Sequence, residues 1–316
     1  MKIMKPMKRI SSLGLRLSLP IYSFFMFVFM FFMPFMVNAL EGQTSPQALT
    51  VTVDARSIQP GELVVYTVHT AQPTDDLKAR AFGHPIAAYR TDSTSWKVLA
   101  GIDLETAPGS YPVIINATMA SGRMETTETL AVRAKAFPTR TLAVDEAFVN
   151  PPASETERIA AEAARLAKLW ATTTPQRLWD GAFVRPVSDA ANSAFGSRSV
   201  FNGQARSPHT GADFLSPAGT PVHAPAGGKV VIAAPLYYSG NTVVIDHGLG
   251  IYSLFAHFSA IAVHEGDVVT PGEVVGKVGA TGRVTGPHLH WAMRINNARI
   301  DPLSLLAALG TTRKSF

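Results

Sequence analysis

The chain reads as all-β, in two β-rich parts joined by a helical linker. Three observations carry that reading. Apolar residues alternate with period two in runs that begin with A-L-T-V-T-V at 48–53. Turn clusters rich in Gly, Pro and Ser punctuate those runs, and one stretch between the halves changes to a helical period. At 316 residues there is room for about two domains of ~100–200 residues each. The chain has no cysteine, so the fold needs no disulfide and no site in it is thiolate-ligated.

A formal charge of +5 suits an anionic polymer or surface, although Lys2, Lys5, Lys8, Arg9 and Arg16 precede an expected cleavage point. They lead into an almost unbroken apolar run from Leu17 to Val37, and V-N-A at 37–39 offers small residues to signal peptidase. Residues 1–39 therefore read as an export signal cleaved after Ala39. The run exceeds the ~7–15 residues of a cleaved signal and approaches the ~20 of a spanning helix, so an uncleaved anchor is the alternative. Pro20 and Pro34 favour cleavage. Both readings place the rest outside the cytoplasm, in the periplasm or cell envelope, with the membrane met only through this segment. No nucleic-acid partner is expected.

After a linker from Glu41 to Pro46, residues 46–136 carry strand runs at Ala48 to Val53, Leu63 to Val68, Lys78 to Tyr89, Trp96 to Ile102, Tyr111 to Met119 and Thr126 to Val132. Q-P-G-E, A-P-G-S and S-G-R turns separate them, which predicts a small immunoglobulin-like β-sandwich. His69 and His84 are isolated and form no catalytic cluster. Residues 137–182 form the linker, in which Ser154 and Glu157 make an S-x-x-E capping box and Ile159, Ala163, Leu166 and Trp170 a helical stripe. This helix should end by Thr174, ahead of Pro175. Residues 183–316 return to β, with paired strands from Lys229 to Ala234 and Thr242 to Asp246 and a short closing helix from about Pro302.

The chemistry concentrates between Arg206 and His290. R-S-P-H-T-G-A-D-F holds His209 and Asp213, and T-G-P-H-L-H-W holds His288 and His290. Zinc takes imidazole nitrogen and carboxylate oxygen, and a catalytic site uses three protein ligands with a fourth position left to water. Two His and one Asp meet that count. Residues i and i+2 of a strand share a face, so His288 and His290 project side by side and Leu289 points into a core. His257, in Y-S-L-F-A-H-F-S, stands in an apolar run with no structural use for its imidazole. His247 reads as structural, and His223 and His264 as solvent-facing. Arg198 and Arg206 are candidates to hold a substrate carboxylate at the groove, or to pair within the loops.

H-x-x-x-D, a distant A-H-F-S and a closing G-P-H-L-H resemble the lysostaphin-type or LytM-domain zinc metallopeptidases, which cleave the peptide part of bacterial peptidoglycan. F-G-S-R at 195–198, G-T-P-V at 219–222 and V-V-I-D-H-G at 243–248 extend the likeness, which runs from Phe183 to Leu303. It implies a C-terminal antiparallel β domain of the duplicated-hybrid-motif fold, acting on the peptide stems of peptidoglycan. It implies one zinc ion per chain held by His209, Asp213 and His290, with His257 and His288 as catalytic histidines. His288 is then the choice for general base and His257 for oxyanion stabiliser or proton donor, the two roles being exchangeable. D-alanyl to diaminopimelate cross-links fit an exported Gram-negative-type context.

A-F-G-H-P-I and W-K-V-L-A-G-I-D resemble an N-terminal domain found ahead of LytM domains, as spacer, wall-positioning module or inhibitory lid. The G-D-V-V and G-E-V-V-G-K-V-G units resemble lipoyl and biotinyl carriers, but neither Lys229 nor Lys277 has the Met-flanked turn that such carriers use. The contrasting functional class is a non-catalytic LytM regulator that activates a separate wall amidase. Such proteins have typically lost ligands or catalytic histidines, and this chain has all five positions.

Overall fold

The computed structural model describes residues 49–143, 146, 149–192 and 195–310. The export signal or anchor, its cleavage after Ala39 and the linker from Glu41 to Pro46 lie outside the described residues. Among the described residues no helix is long and apolar enough to cross a membrane.

The alternating runs form β1 (Leu49–Ala55), β2 (Leu63–Thr70), β3 (Thr74–Ala81), β4 (His84–Arg90), β5 (Ser95–Gly101), β6 (Gly109–Met119) and β7 (Gly122–Val132). One expectation is corrected: Lys78 to Tyr89 is not a single run but the β3–β4 hairpin. The break falls at Phe82-Gly83, whose φ values of 52° and 81° suit a two-residue type I′ turn. The strands hydrogen-bond antiparallel in the order β1-β2-β5-β4-β3-β6-β7. They wrap a core that includes Val64, Tyr66, Leu77, Val98, Ile115 and Leu130.

β2 and β5 are buried on both faces, and this decides how the halves meet. Val64, Tyr66 and Val68 turn toward the core of their own sheet, while Leu63, Val65, Leu99 and Ala87 join the core of the C-terminal half with Phe214, Ile300 and Leu305. Polar contacts reinforce that junction. Leu63 N donates to Ser304 Oγ at 2.9 Å, Ala87 N to Asn296 Oδ1 at 2.8 Å and Asp301 N to the Gly61 carbonyl at 2.7 Å. Arg56 bridges Glu62 at 2.8 Å and Asp301 at 2.7 Å, and Arg299 pairs with Asp103 at 2.6 Å. The described residues accordingly form one compact unit.

The linker holds β8 (Thr139–Leu142) and α1 (Thr156–Trp170). The predicted capping box does not form: Ser154 lies inside a 3₁₀ turn, Ala153–Glu155, and Glu155 takes the N-cap position without a side-chain cap bond. The predicted stripe is shifted as well. Ile159, Leu166, Leu169 and Trp170 are half-buried and Ala163 is exposed. Leu166, Leu169 and Trp170 pack on Ile232, Val244 and Tyr252. Tyr252 Oη ties the chain beyond α1 by donating to the Thr172 carbonyl at 2.9 Å.

The C-terminal half follows as β9 (Ala191–Asn192), β10 (Arg198–Phe201), β11 (Gln204–Arg206), β12 (Gly211–Phe214), β13 (Pro221–His223), β14 (Gly228–Leu236), β15 (Gly240–Gly248), β16 (Ile251–Ile261), β17 (Val268–Val269), β18 (Val274–Val278), β19 (Leu289–Ile295), β20 (Ala298–Ile300) and α2 (Pro302–Leu309). Its main sheet runs β17-β14-β15-β16-β19-β12-β9, while β10 pairs with β11 on one side and, in parallel, with β8 on the other. α2 starts as its sequence dictates, with Pro302 in the first turn and the Asp301 carboxylate accepting from Leu303 N.

Candidate metal and catalytic site

The site stands where β12, β19 and the middle of β16 lie side by side. Asp213 lies directly opposite His290 in the β12–β19 register, and Ala256, next to His257, lies opposite His290 from β16. Leu289, between the two histidines of H-L-H, is fully buried with Phe214, Phe255 and Trp291. Alternation thus turns Leu289 inward, and His288 and His290 both line the groove.

Three donor atoms converge there. His209 Nε2 lies 2.9 Å from His290 Nδ1 and 3.1 Å from Asp213 Oδ1, and His290 Nδ1 lies 3.0 Å from Asp213 Oδ1. Protons alone cannot satisfy this triangle. If both imidazoles donate to the carboxylate, two N–H groups oppose each other; if one is unprotonated, a lone pair opposes either the carboxylate oxygen or a like nitrogen. A divalent cation in the middle satisfies all three edges. Donors bound tetrahedrally at ~2.0–2.2 Å stand ~3.3–3.5 Å apart, close to the spacing present, so the residues fit a metal ion. Burial alone would raise the Asp213 carboxyl, but hydrogen bonds from His209 and His290 outweigh it and hold the group well below the usual carboxylate range. His290 is pushed down, chiefly by burial. The outer nitrogen of His209, Nδ1, is buried without a hydrogen-bond partner.

His257 and His288 flank the triangle. Their ring centroids are 5.0 Å apart, that of His257 is 5.9 Å from His290, and His288 Nε2 is 3.8 Å from Asp213 Oδ1. Each is pinned by a backbone carbonyl, Thr281 O to His257 Nδ1 and Gly286 O to His288 Nδ1, both at 2.9 Å. A carbonyl only accepts, so each Nδ1 carries the proton and each neutral ring keeps its lone pair at Nε2. Burial, then the nearby His290, pushes His257 down to about 3. Its backbone has φ of 67°, in the left-handed region, at a register shift where β16 leaves β19 for β18. Such a conformation costs on the order of 1–3 kcal/mol in a non-glycine residue and tends to mark functional positions.

Two glycines make room for this arrangement. A Cβ on Gly211 would stand 2.7 Å from His290 Cε1 and Nε2 and 2.5 Å from the Trp291 carbonyl oxygen. Gly282 has φ of 75°, and a Cβ there would meet Gly240 N at 2.4 Å, so the loop carrying Thr281 and Arg283 can settle on the β14–β15 hairpin.

The site opens into a groove of about 530 Å³ walled by Leu166, Trp170, Phe201, Tyr238 and Arg283. Neither Arg198 nor Arg206 lines it. Arg206 instead pairs locally, donating to the Val149 carbonyl at 2.8 Å and Gln204 Oε1 at 2.7 Å. The groove cations are Arg294 and Arg283, and Arg283 is held between the rings of Tyr238 at 4.5 Å and Phe201 at 5.2 Å. Sequence reasoning missed both, along with Tyr238 and the part Trp170 plays in the wall; the aromatic pair in L-Y-Y-S-G and the Arg of T-G-R-V were the available signals. His247 is structural as expected, fully buried between the Gly227 carbonyl at 2.7 Å and Ser253 Oγ at 2.8 Å. His264 is exposed, and His223 Nδ1 bonds the Gly272 carbonyl.

An antiparallel β domain with two imidazoles and a carboxylate converging, and two further histidines beside them, defines a metallopeptidase-type site. The sequence profile of Peptidase family M23 matches residues 207–302. A solved structure described as a peptidase M23 from Pseudomonas aeruginosa is similar over 81% of this chain and 97% of that chain, with 33% identity and a TM-score of 0.62. The chain belongs to peptidase family M23. The DD-carboxypeptidase/endopeptidase Mpg of Neisseria meningitidis serogroup B is 47% identical over 97 residues, 31% of this chain and 22% of the relative. Peptidoglycan DD-endopeptidase ShyA of Vibrio cholerae serotype O1 is 42% identical over 96 residues, 30% of this chain and 22% of the relative. The match therefore spans about a fifth of the length of these curated relatives.

Proposed function

We propose that this protein is a zinc-dependent endopeptidase that hydrolyses peptide cross-links of bacterial peptidoglycan outside the cytoplasm. The observation that carries the reading is the unsatisfiable donor triangle with two carbonyl-pinned imidazoles beside it. Zinc held by His209 Nε2, Asp213 Oδ1 and His290 Nδ1 would supply Lewis acidity toward the scissile carbonyl and would acidify water. The other two histidines move protons. His257, with Nδ1–H held by the Thr281 carbonyl and its lone pair at Nε2, can take the proton of the attacking water. His288, whose Nε2 lies 3.8 Å from Asp213 Oδ1, donates from Nε2 toward the developing oxyanion or the leaving amine when it is protonated. The two roles are exchangeable between these rings, as the sequence reading allows.

The names of the relatives, DD-endopeptidases in two genera, support the D-alanyl to diaminopimelate bond class. Residues 1–39 act in this proposal as the export signal, residues 46–136 as an N-terminal β module, 137–182 as the linker and 183–316 as the catalytic part. The test is digestion of purified cell wall with and without a zinc chelator, with mass analysis of the released muropeptides. Chelator-sensitive release of uncross-linked stems is expected. Unchanged wall, with a folded protein that holds no stoichiometric zinc, refutes the proposal.

A further inference from the structure

Trp170 and Arg294 line the reaction groove on one side and a second, larger cavity on the other. That cavity, of about 1120 Å³, lies between the N-terminal strands and the C-terminal half. Its cations are Lys78, Arg80, Arg294 and Arg299, and its carboxylate is Asp103. Arg299 is matched by Asp103 at 2.6 Å and by Glu105 at 3.0 Å, so that group adds no free positive charge. Lys78 reaches Asp76 at 3.1 Å in a water-exposed pair, and Arg80 donates to the Gly83 carbonyl. Exposed pairs of that kind contribute little and exchange readily.

Arg294 differs from the others. Among the described residues it makes no ion pair; its guanidinium donates to the Asn297 carbonyl at 2.9 Å and Asn297 Oδ1 at 3.2 Å, and lies 5.3 Å over the Trp170 ring. Burial, with the charge of Arg299 nearby, pushes it down to about 10. Asp103 is the carboxylate whose charge reaches Arg294, and it is already engaged by Arg299 at 2.6 Å; desolvating a cation with so little compensation is unfavourable, and the planar five-donor fork of arginine is shaped for a carboxylate. The reaction groove, at about 530 Å³, is of a size to enclose a single small ligand, whereas a cross-link joins two acidic stem peptides.

We propose that this inter-module cavity binds the carboxylates of an acidic stem peptide, holding beyond Trp170 and Arg294 the part of the substrate that the reaction groove does not enclose. The inference rests on the peptidase reading for its substrate class. The N-terminal strands then supply half of a substrate site.

The experiment is calorimetric titration of the full chain with a synthetic stem peptide containing γ-D-glutamyl-diaminopimelate, beside the same peptide with its side carboxylates converted to carboxamides. Amidation should weaken binding about tenfold or more, the scale of a hydrogen bond to a charged group. Lys78→Ser with Arg80→Ser, both exposed and outside the reaction groove, should weaken the acidic peptide several-fold and leave the amidated one unchanged. Arg294→Gln, at the wall shared with the reaction groove, should also weaken the acidic peptide. Equal affinity for the two peptides, or equal losses for both in the folded variants, overturns the proposal. The two readings fail separately. Charge-dependent binding by a chain that releases nothing from wall supports the cavity and refutes the peptidase reading. Wall cleavage with an unchanged KM for a cross-linked muropeptide dimer in the Lys78/Arg80 variant overturns the cavity and leaves the peptidase standing.

Discussion

Replacing Gly211 by alanine should disable the site while all five of its polar side chains keep their identity. The added Cβ would come 2.7 Å from two atoms of the His290 ring and 2.5 Å from the Trp291 carbonyl. Ordinary contact between such atoms begins near 3.5 Å, so ring or strand must give by roughly 1 Å. The strand resists, because Trp291 is fully buried and stacked on Phe255 at 6.2 Å. The ring is what moves, and it carries Nδ1 out of a triangle whose edges are 2.9–3.1 Å. Metal–ligand distances tolerate only ~0.2 Å, and a 1 Å misplacement at a reacting centre costs ~10²-fold. Zinc affinity, read by competition with a chromogenic chelator, should drop by at least ~10-fold. Cleavage of wall should drop by ~10²-fold, with the circular dichroism spectrum unchanged. A Gly211→Ala chain that kept wild-type zinc affinity and rate would show that His290 is not held where the donor triangle needs it.

His290→Ala and Asp213→Ala should lose zinc on dialysis, whereas His288→Ala and His257→Ala should keep it and still lose ~10²–10⁴-fold in turnover; zinc per chain beside rate decides, and the opposite pattern along H-L-H reverses the assignment. Leu63→Ala removes a fully buried side chain from the shared core and should cost about 2–5 kcal/mol, seen as a lower denaturant midpoint for the whole chain; a shift confined to a separate early transition would mean that the halves unfold independently. Stability should fall as pH drops from about 6.5 toward 4. His247 is pushed down to about 4 by burial, so in that window the unfolded chain takes up a proton that the folded chain refuses, a loss of up to roughly 3 kcal/mol. Asp103 and Glu62, both lowered despite burial by their arginine and lysine partners, act in the same direction at lower pH. A melting temperature flat from pH 7 to 5, or an unaltered slope in folded His247→Gln, contradicts that account.

The readable parts of this chain were those that a local period or a local spacing encodes. H-L-H announced two groove-facing imidazoles with a core residue between them, because strand geometry makes i and i+2 neighbours. What escaped depends on partners far along the chain. The bulge that turns His257 inward arises because β16 changes partner there, which the string A-H-F-S does not contain. Arg206 is taken by the carbonyl of Val149, 57 positions earlier, so its absence from the groove followed from a tertiary contact alone. Ser154 has the letters of a capping box but stands one residue ahead of the N-cap, Glu155, in a 3₁₀ segment. The double burial of β2 was written in L-V-V-Y-T-V, since a continuous apolar run has no face left for water; it passed as an ordinary strand signal.

That doubly buried strand sets an order of events in folding. Leu63 and Val65 are synthesised early, yet the groups that cover them, Ile300, Leu305 and the Ser304 hydroxyl that bonds Leu63 N, come about 240 residues later. At ~5–20 residues per second, a ribosome leaves that apolar face wet for on the order of 10–50 seconds. A chain stalled or clipped before residue 300 therefore keeps an adhesive surface that no part of itself can close, and chaperones and proteases have a handle on every incomplete copy.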